Sequence, residues 1–134
     1  EALKSASRRG VDVRLILPAN GDSALVNAAA KTYSTDAAEN GTRIWHYEPR
    51  MNHSKVMIID DELSIVGTAN MDNRSFRLNF ELVAAIYDKD INTRLGDLFQ
   101  RDLAASKPFE PDNRKPGYIE RITANTARLL APLL

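Results

Sequence analysis

Two short apolar runs, Val56–Ile59 and Leu63–Gly67, flank the polar triplet Asp60-Asp61-Glu62, which commits the middle of the chain to an antiparallel hairpin. His53 and Lys55 stand just ahead of the first run, and Thr68 and Asn70 follow the second. Strand side chains alternate with period two, so extended backbone through Lys55 points His53 and Lys55 to one side. Written as H-x-K-x4-D-x6-G-[ST]-x-N, the pattern constrains six positions within eighteen residues. An average residue type fills roughly one position in twenty, so chance agreement at all six is improbable.

The residue types suit phosphoryl chemistry. An imidazole titrates near neutrality and can either attack phosphorus or hand a proton to a leaving oxygen. Lys55 supplies a fixed positive charge for phosphate oxygens. Thr68, the backbone amides around Gly67 and the Asn70 carboxamide are candidate donors to the charge that develops on a pentacoordinate phosphorus. Asp60 belongs to the pattern and so to the candidate catalytic set, but parity puts it on the opposite strand face from His53. It opens the polar turn, and we read it as turn-organising.

A second element adds a carboxylate. Residues 79–86 read as another strand, with Asn79 and Glu81 on one face and Phe80 and Leu82 on the other. A carboxylate on an otherwise apolar strand needs a partner. An imidazole acting as nucleophile or acid commonly has its other ring nitrogen held by such an acceptor, so Glu81 is expected to orient His53.

Helices and strands alternate elsewhere. Residues 11–17 read as a buried strand, 23–38 as an Ala-rich helix capped by Asp22 or Ser23, and 43–47 as a short strand ending before Pro49. Residues 71–78 read as a polar loop with one helical turn, for which Asp72 is a cap candidate. Ile91, Leu95, Leu98, Phe99 and Leu103 recur at helical spacing, which predicts an amphipathic helix over 90–105. Residues 107–117 carry Pro108, Pro111 and Pro116 and read as an extended connector, with a last helix over 118–130. The interleaving implies one layered α/β domain over residues 1–134, a mixed sheet flanked by helices.

Composition narrows the partners. Lys plus Arg and Asp plus Glu both number 18, so the formal charge is zero and counts against a nucleic-acid tracker. The absence of cysteine removes disulfides and thiolate metal sites. No metal ligand cluster and no cofactor motif is apparent. No apolar run approaches the ~18 residues of a membrane span. His46, between Trp45 and Tyr47, reads as a packed or edge histidine. Arg74 and Arg77 read equally as phosphate contacts or structural ion pairs.

Taken together, His53, Lys55, Asp60, Gly67, Thr68 and Asn70, then Asp72-Asn-Arg74-Ser75 and Asn79-x-Glu81, resemble one copy of the signature of the phospholipase D superfamily. Within it the chain is most similar to the C-terminal half of the bacterial cardiolipin synthases. Residues 9–18 resemble the strand that opens the second half of those enzymes, and residues 128–134 resemble their C-terminus. The resemblance implies a phosphatidyltransferase acting on phospholipids such as phosphatidylglycerol through a phosphohistidine intermediate. It also implies bacterial cytoplasmic-membrane association, with any anchor outside this segment.

Members of this superfamily build one active site from two such motifs, and this chain has one. It contains two histidines, and His46 has no lysine two positions later. Because it opens on Glu1, in what reads as the tail of a helix, the chain is expected to be the C-terminal half of a longer protein. The second histidine then comes from the N-terminal half of that protein, or from a second copy across a twofold axis. The resemblance gives His53 the general-acid role. The alternative is a phospholipase D-type hydrolase, or a nuclease, acting as a homodimer.

Overall fold

The computed structural model describes residues 1–19 and 24–111. A short helix α1, Ala2–Arg8, leads into strand β1, Arg14–Pro18. Helix α2, Ala24–Glu39, then carries the chain back to β2, Arg43–Tyr47. That crossover makes β1 and β2 parallel, with Ile16 opposite Trp45. Gly41, at φ +89, supplies the left-handed turn that ends α2, and Thr42 Oγ1 meets Ser7 Oγ at 2.9 Å to fasten α1 beside it. At the start of the sheet, Asp12 bridges Arg14 and Arg43, and these two guanidiniums hold its carboxyl down at about 2.

The predicted hairpin is present. Strand β3, Val56–Ile59, pairs antiparallel with β4, Leu63–Gly67, through a turn at 60–62. Helix α3, Asn73–Arg77, is capped by Asp72, whose carboxylate accepts the Ser75 amide at 2.7 Å, as the cap position predicted. Strand β5, Val83–Ile86, pairs antiparallel with β4. Helix α4, Lys89–Ala104, follows, capped by Asp88. It packs across both sheets, and Asn92 reaches in from it to donate to the Ser64 hydroxyl at 3.1 Å, where both side chains are buried.

Three boundaries differ from expectation. The strand predicted over 11–17 as buried runs over Arg14–Pro18 and is only half-buried, because it lies at a sheet edge. The strand predicted from residue 79 begins only at Val83. Ahead of it the Asn79 amide closes α3 on Arg74, and the Leu82 amide takes the Thr68 hydroxyl, so the regular backbone ladder starts later. The connector expected from residue 107 opens as a strand, β6, Ser106–Pro108, antiparallel to β2. Pro108 is tolerated there because the strand lies at an edge. Among the described residues the result is two three-stranded sheets, mixed β1-β2-β6 and antiparallel β3-β4-β5, with helices against them. The expected α/β layering stands. The expected cap of α2 at Asp22 or Ser23, the helix over 118–130 and the segment 128–134 lie outside the described residues.

The core is thin. Ile44, 4% exposed, is the buried apolar side chain among the described residues. Phe76, Leu78, Phe80 and Leu82 are exposed instead, and Phe80 is fully so.

Candidate active site

The hairpin's open end assembles the site. The Gly67 amide donates to the Lys55 carbonyl at 3.2 Å, carrying the β3–β4 ladder one step beyond Val56 and setting Lys55 opposite Gly67. Ahead of it the Asn52 side chain accepts the Ser54 amide at 3.0 Å, an Asx turn that shapes the entry to His53. Lys55 Nζ donates to the His53 carbonyl at 2.9 Å, which keeps the two residues together and leaves the ammonium two protons for a ligand. His53 is exposed and Lys55 half-buried.

Glu81 lies at the centre of a hydrogen-bond network. Its Oε2 accepts the Thr68 hydroxyl at 2.5 Å, and its Oε1 accepts Ser75 Oγ at 2.9 Å and Asn79 Nδ2 at 3.2 Å. The Thr68 hydroxyl, then Ser75 and Asn79, hold the Glu81 carboxyl below the usual carboxylate range, and the Lys55 charge adds to this. The carboxylate therefore sits ionised beside a cation.

This geometry redistributes the expected roles. Glu81 was expected to hold the His53 ring, but in this chain its oxygens accept Thr68, Ser75 and Asn79, and the His53 ring makes no hydrogen bond among the described residues. Thr68 was expected to donate to a phosphoryl group. Its one hydroxyl proton goes to Glu81, while its oxygen also accepts the Leu82 amide at 3.0 Å. The backbone amides proposed as donors are committed too, Gly67 to Lys55 and Thr68 to the Leu82 carbonyl at 2.9 Å. The Asn70 carboxamide makes no hydrogen bond among the described residues, and Asn70 is exposed. Three side chains of the candidate set thus keep donors open to a ligand: His53, Lys55 and Asn70.

Asp60 lies elsewhere. It occupies the left-handed region at φ +50 in the turn joining β3 to β4, a conformation that aspartate tolerates better than most residues. Seven residues of extended chain span roughly 23 Å, which puts Asp60 at the far end of the hairpin from His53. Its place is to turn the chain.

Ser75, for which the sequence suggested no role of its own, is 7% exposed, and its hydroxyl accepts the Asn70 amide at 3.0 Å while donating to Glu81. The signal that could have found it is the Asp72-x-x-Ser75 cap spacing, which turns this residue inward. His46 packs edge-on against Phe109 at 5.3 Å, away from the candidate set, as its strand position predicted. Arg74 and Arg77 are exposed and make no ion pair among the described residues.

The family model described as "Cardiolipin synthase, PLD-like domain" matches residues 1–103. The chain belongs to this family. Among curated relatives, Cardiolipin synthase 2 from Bacillus anthracis is 43% identical over 134 residues, covering 99% of this chain and 26% of that protein. Cardiolipin synthase A from Pseudomonas putida (strain W619) is 39% identical over the same length, covering 99% of this chain and 28% of that protein. This cardiolipin synthase-like, PLD-like domain thus spans about a quarter of the length of these relatives. Its fold is similar to that of a phospholipase D family member, Nuc from Salmonella typhimurium. The TM-score is 0.71 at 22% identity, covering 81% of this chain and 71% of that one. NucT from Helicobacter pylori gives 0.58 at 22% identity, over 81% and 72%. These likenesses agree with the layered fold that the PLD-like signature predicted. Among the described residues no helix is long and apolar enough to cross a membrane.

Proposed function

We propose that this chain supplies one half of the active site of a phosphatidyltransferase acting on phospholipid phosphodiesters. The observation that carries the reading is the open set of an imidazole, an ammonium and a carboxamide at His53, Lys55 and Asn70, beside a Glu81 network that is already satisfied. Such a set binds a phosphoryl group by charge and hydrogen bonds. It holds one imidazole, whereas a double displacement uses two.

In this reaction one imidazole nitrogen attacks the phosphatidyl phosphorus. The phosphorus–oxygen bond to the leaving alcohol breaks, and the second imidazole, in protonated form, gives that oxygen its proton. The second imidazole then takes the proton of an incoming alcohol, whose oxygen displaces the histidine from phosphorus. Phosphatidylglycerol as both donor and acceptor gives cardiolipin and glycerol; water as acceptor gives phosphatidic acid. His53 takes the acid–base role, Lys55 and Asn70 hold the phosphoryl oxygens, and Thr68 and Glu81 hold the frame.

The complementary imidazole belongs to another PLD-like half, in the same protein or in a second copy. The exposed apolar residues Phe76, Leu78, Phe80 and Leu82 support a covering partner, because transfer to an alcohol instead of water needs a sheltered site. The same phospholipid chemistry places the working protein at the cytoplasmic membrane surface.

The test gives the full-length protein containing this chain labelled phosphatidylglycerol and a DNA duplex side by side, with and without excess chelator. Cardiolipin formed at an unchanged rate in chelator, and lost by at least ~10³-fold in His53→Ala, is the expected result. Phosphatidic acid alone would make the protein a hydrolase, and cut DNA a nuclease. Activity of His53→Ala within about tenfold of wild type removes His53 from the reaction.

A further inference from the structure

The buried hydroxyl of Ser75 joins Asn70 to Glu81, two residues with no hydrogen bond to each other among the described residues. The Asn70 amide donates to Ser75 Oγ at 3.0 Å, and Ser75 Oγ donates to Glu81 Oε1 at 2.9 Å. Its own amide is fixed on the Asp72 carboxylate at 2.7 Å, so the residue is held from three sides and is 7% exposed. A hydroxyl has one proton to give. With that proton on Glu81 and one lone pair on the Asn70 amide, Ser75 has no proton left to give a substrate.

We propose that Ser75 is a positioning residue of this site, one hydroxyl that sets the Asn70 backbone against the Glu81 carboxylate and so decides where the Asn70 carboxamide meets a phosphoryl group. The inference rests on the phosphoryl-transfer reading and adds a residue to it. The consequence of a loose Asn70 is large, because a displacement of about 1 Å at a group that touches the reacting phosphoryl can lower a rate about a hundredfold. Capping of α3 alone gives a different expectation. The cap bond uses the Ser75 backbone amide, so replacing the hydroxyl by hydrogen would leave it intact and leave the reaction untouched.

Ser75→Ala in the full-length protein, assayed on phosphatidylglycerol vesicles, separates the two. The expected result is a fall in kcat of at least about tenfold with KM changed much less, and an acid limb of the kcat profile moved to higher pH, because Glu81 loses a donor to its ionised form. A double-mutant cycle adds a readout that a packing role would not move: in a Glu81→Gln background Ser75→Ala should have little further effect. If Ser75→Ala does not unfold cooperatively, Ser75→Cys, a weaker donor of similar size, carries the same measurements. Unchanged kcat and pH profile, or losses simply multiplicative with Glu81→Gln, would overturn the proposal. His53→Ala is assayed in parallel: if it stays active, the phosphoryl-transfer reading fails, whereas an inactive His53→Ala beside a normal Ser75→Ala defeats the positioning role alone.

Discussion

Glu81 is the residue on which the site's electrostatics turn. Three donors and the nearby Lys55 charge favour its ionised form, so its folded titration lies below the ordinary carboxylate value of 4.5. The sign follows: a group with a depressed folded pKa adds stability above its unfolded pKa, and that stability fades as pH falls through the folded value. Comparing Glu81→Gln with wild type by thermal unfolding between about pH 6 and pH 3 should show the variant less stable at the upper end, with the gap closing on acidification. A gap constant across that range would remove the charged network. Thr68 belongs to the same unit, since its hydroxyl is the first donor to Glu81. Thr68→Ser should stay within about threefold of wild-type activity, and Thr68→Val should lose about tenfold or more.

At the scale of elements, the hairpin and β5 hold the site by close backbone approach at one glycine. A Cβ built on Gly67 would lie 2.2 Å from the Leu82 carbonyl oxygen and 2.7 Å from the Val83 Cα. Both are backbone atoms, so β4 and β5 could accept a side chain only by parting. Parting them breaks the bonds that run between Thr68 and Leu82 and releases Glu81. Gly67→Ala is therefore expected to destabilise by about 1–3 kcal/mol or more in denaturant unfolding, with activity falling beyond what the folded fraction explains. Activity proportional to the folded fraction would show that the Glu81 network does not depend on this approach. Asparagine at position 70 and serine at position 75 are likewise brought together by α3, whose cap turns the chain back toward β5.

At the scale of the whole molecule, the proposed second half would cover the exposed side chains Phe76, Leu78, Phe80 and Leu82. Each of these side chains is more than half exposed, and burying one contributes about 1.5–3 kcal/mol. Phe80→Asp in the full-length protein is expected to lower Tm by several degrees, because a charge would enter a covered interface. If Phe80 faces water in the full-length protein, Tm should scarcely move, as for surface substitutions generally. Light scattering on the same sample distinguishes the two forms of cover: dissociation of a dimer for a second copy, an unchanged mass for a half within the same protein.

How much was legible in the sequence depended on the range of the interaction. Strand alternation and turn chemistry are local, so the hairpin, the Asp72 cap, the amphipathic helix α4 and the place of Asp60 in the hairpin turn all followed from neighbouring residues. The motif His53-x-Lys55 with Asn70 and Glu81 pointed to the family and to a candidate site for the same reason. The hydrogen bonds that join β4 to β5 are not local. A hydroxyl has one proton and a carboxylate two oxygens, and which groups take them is decided when β4, α3 and β5 meet in space. Folding turned Thr68 from an expected phosphate donor into a support for Glu81, gave Glu81 to Thr68, Ser75 and Asn79 in place of His53, and drew in Ser75. The sequence by itself determined the family signature and the hairpin that carries most of it, because both reside in neighbouring residues. Only the tertiary structure decided which of those polar groups remain open to a substrate, because each donor proton can be used once and its acceptor is fixed only when β4, α3 and β5 meet.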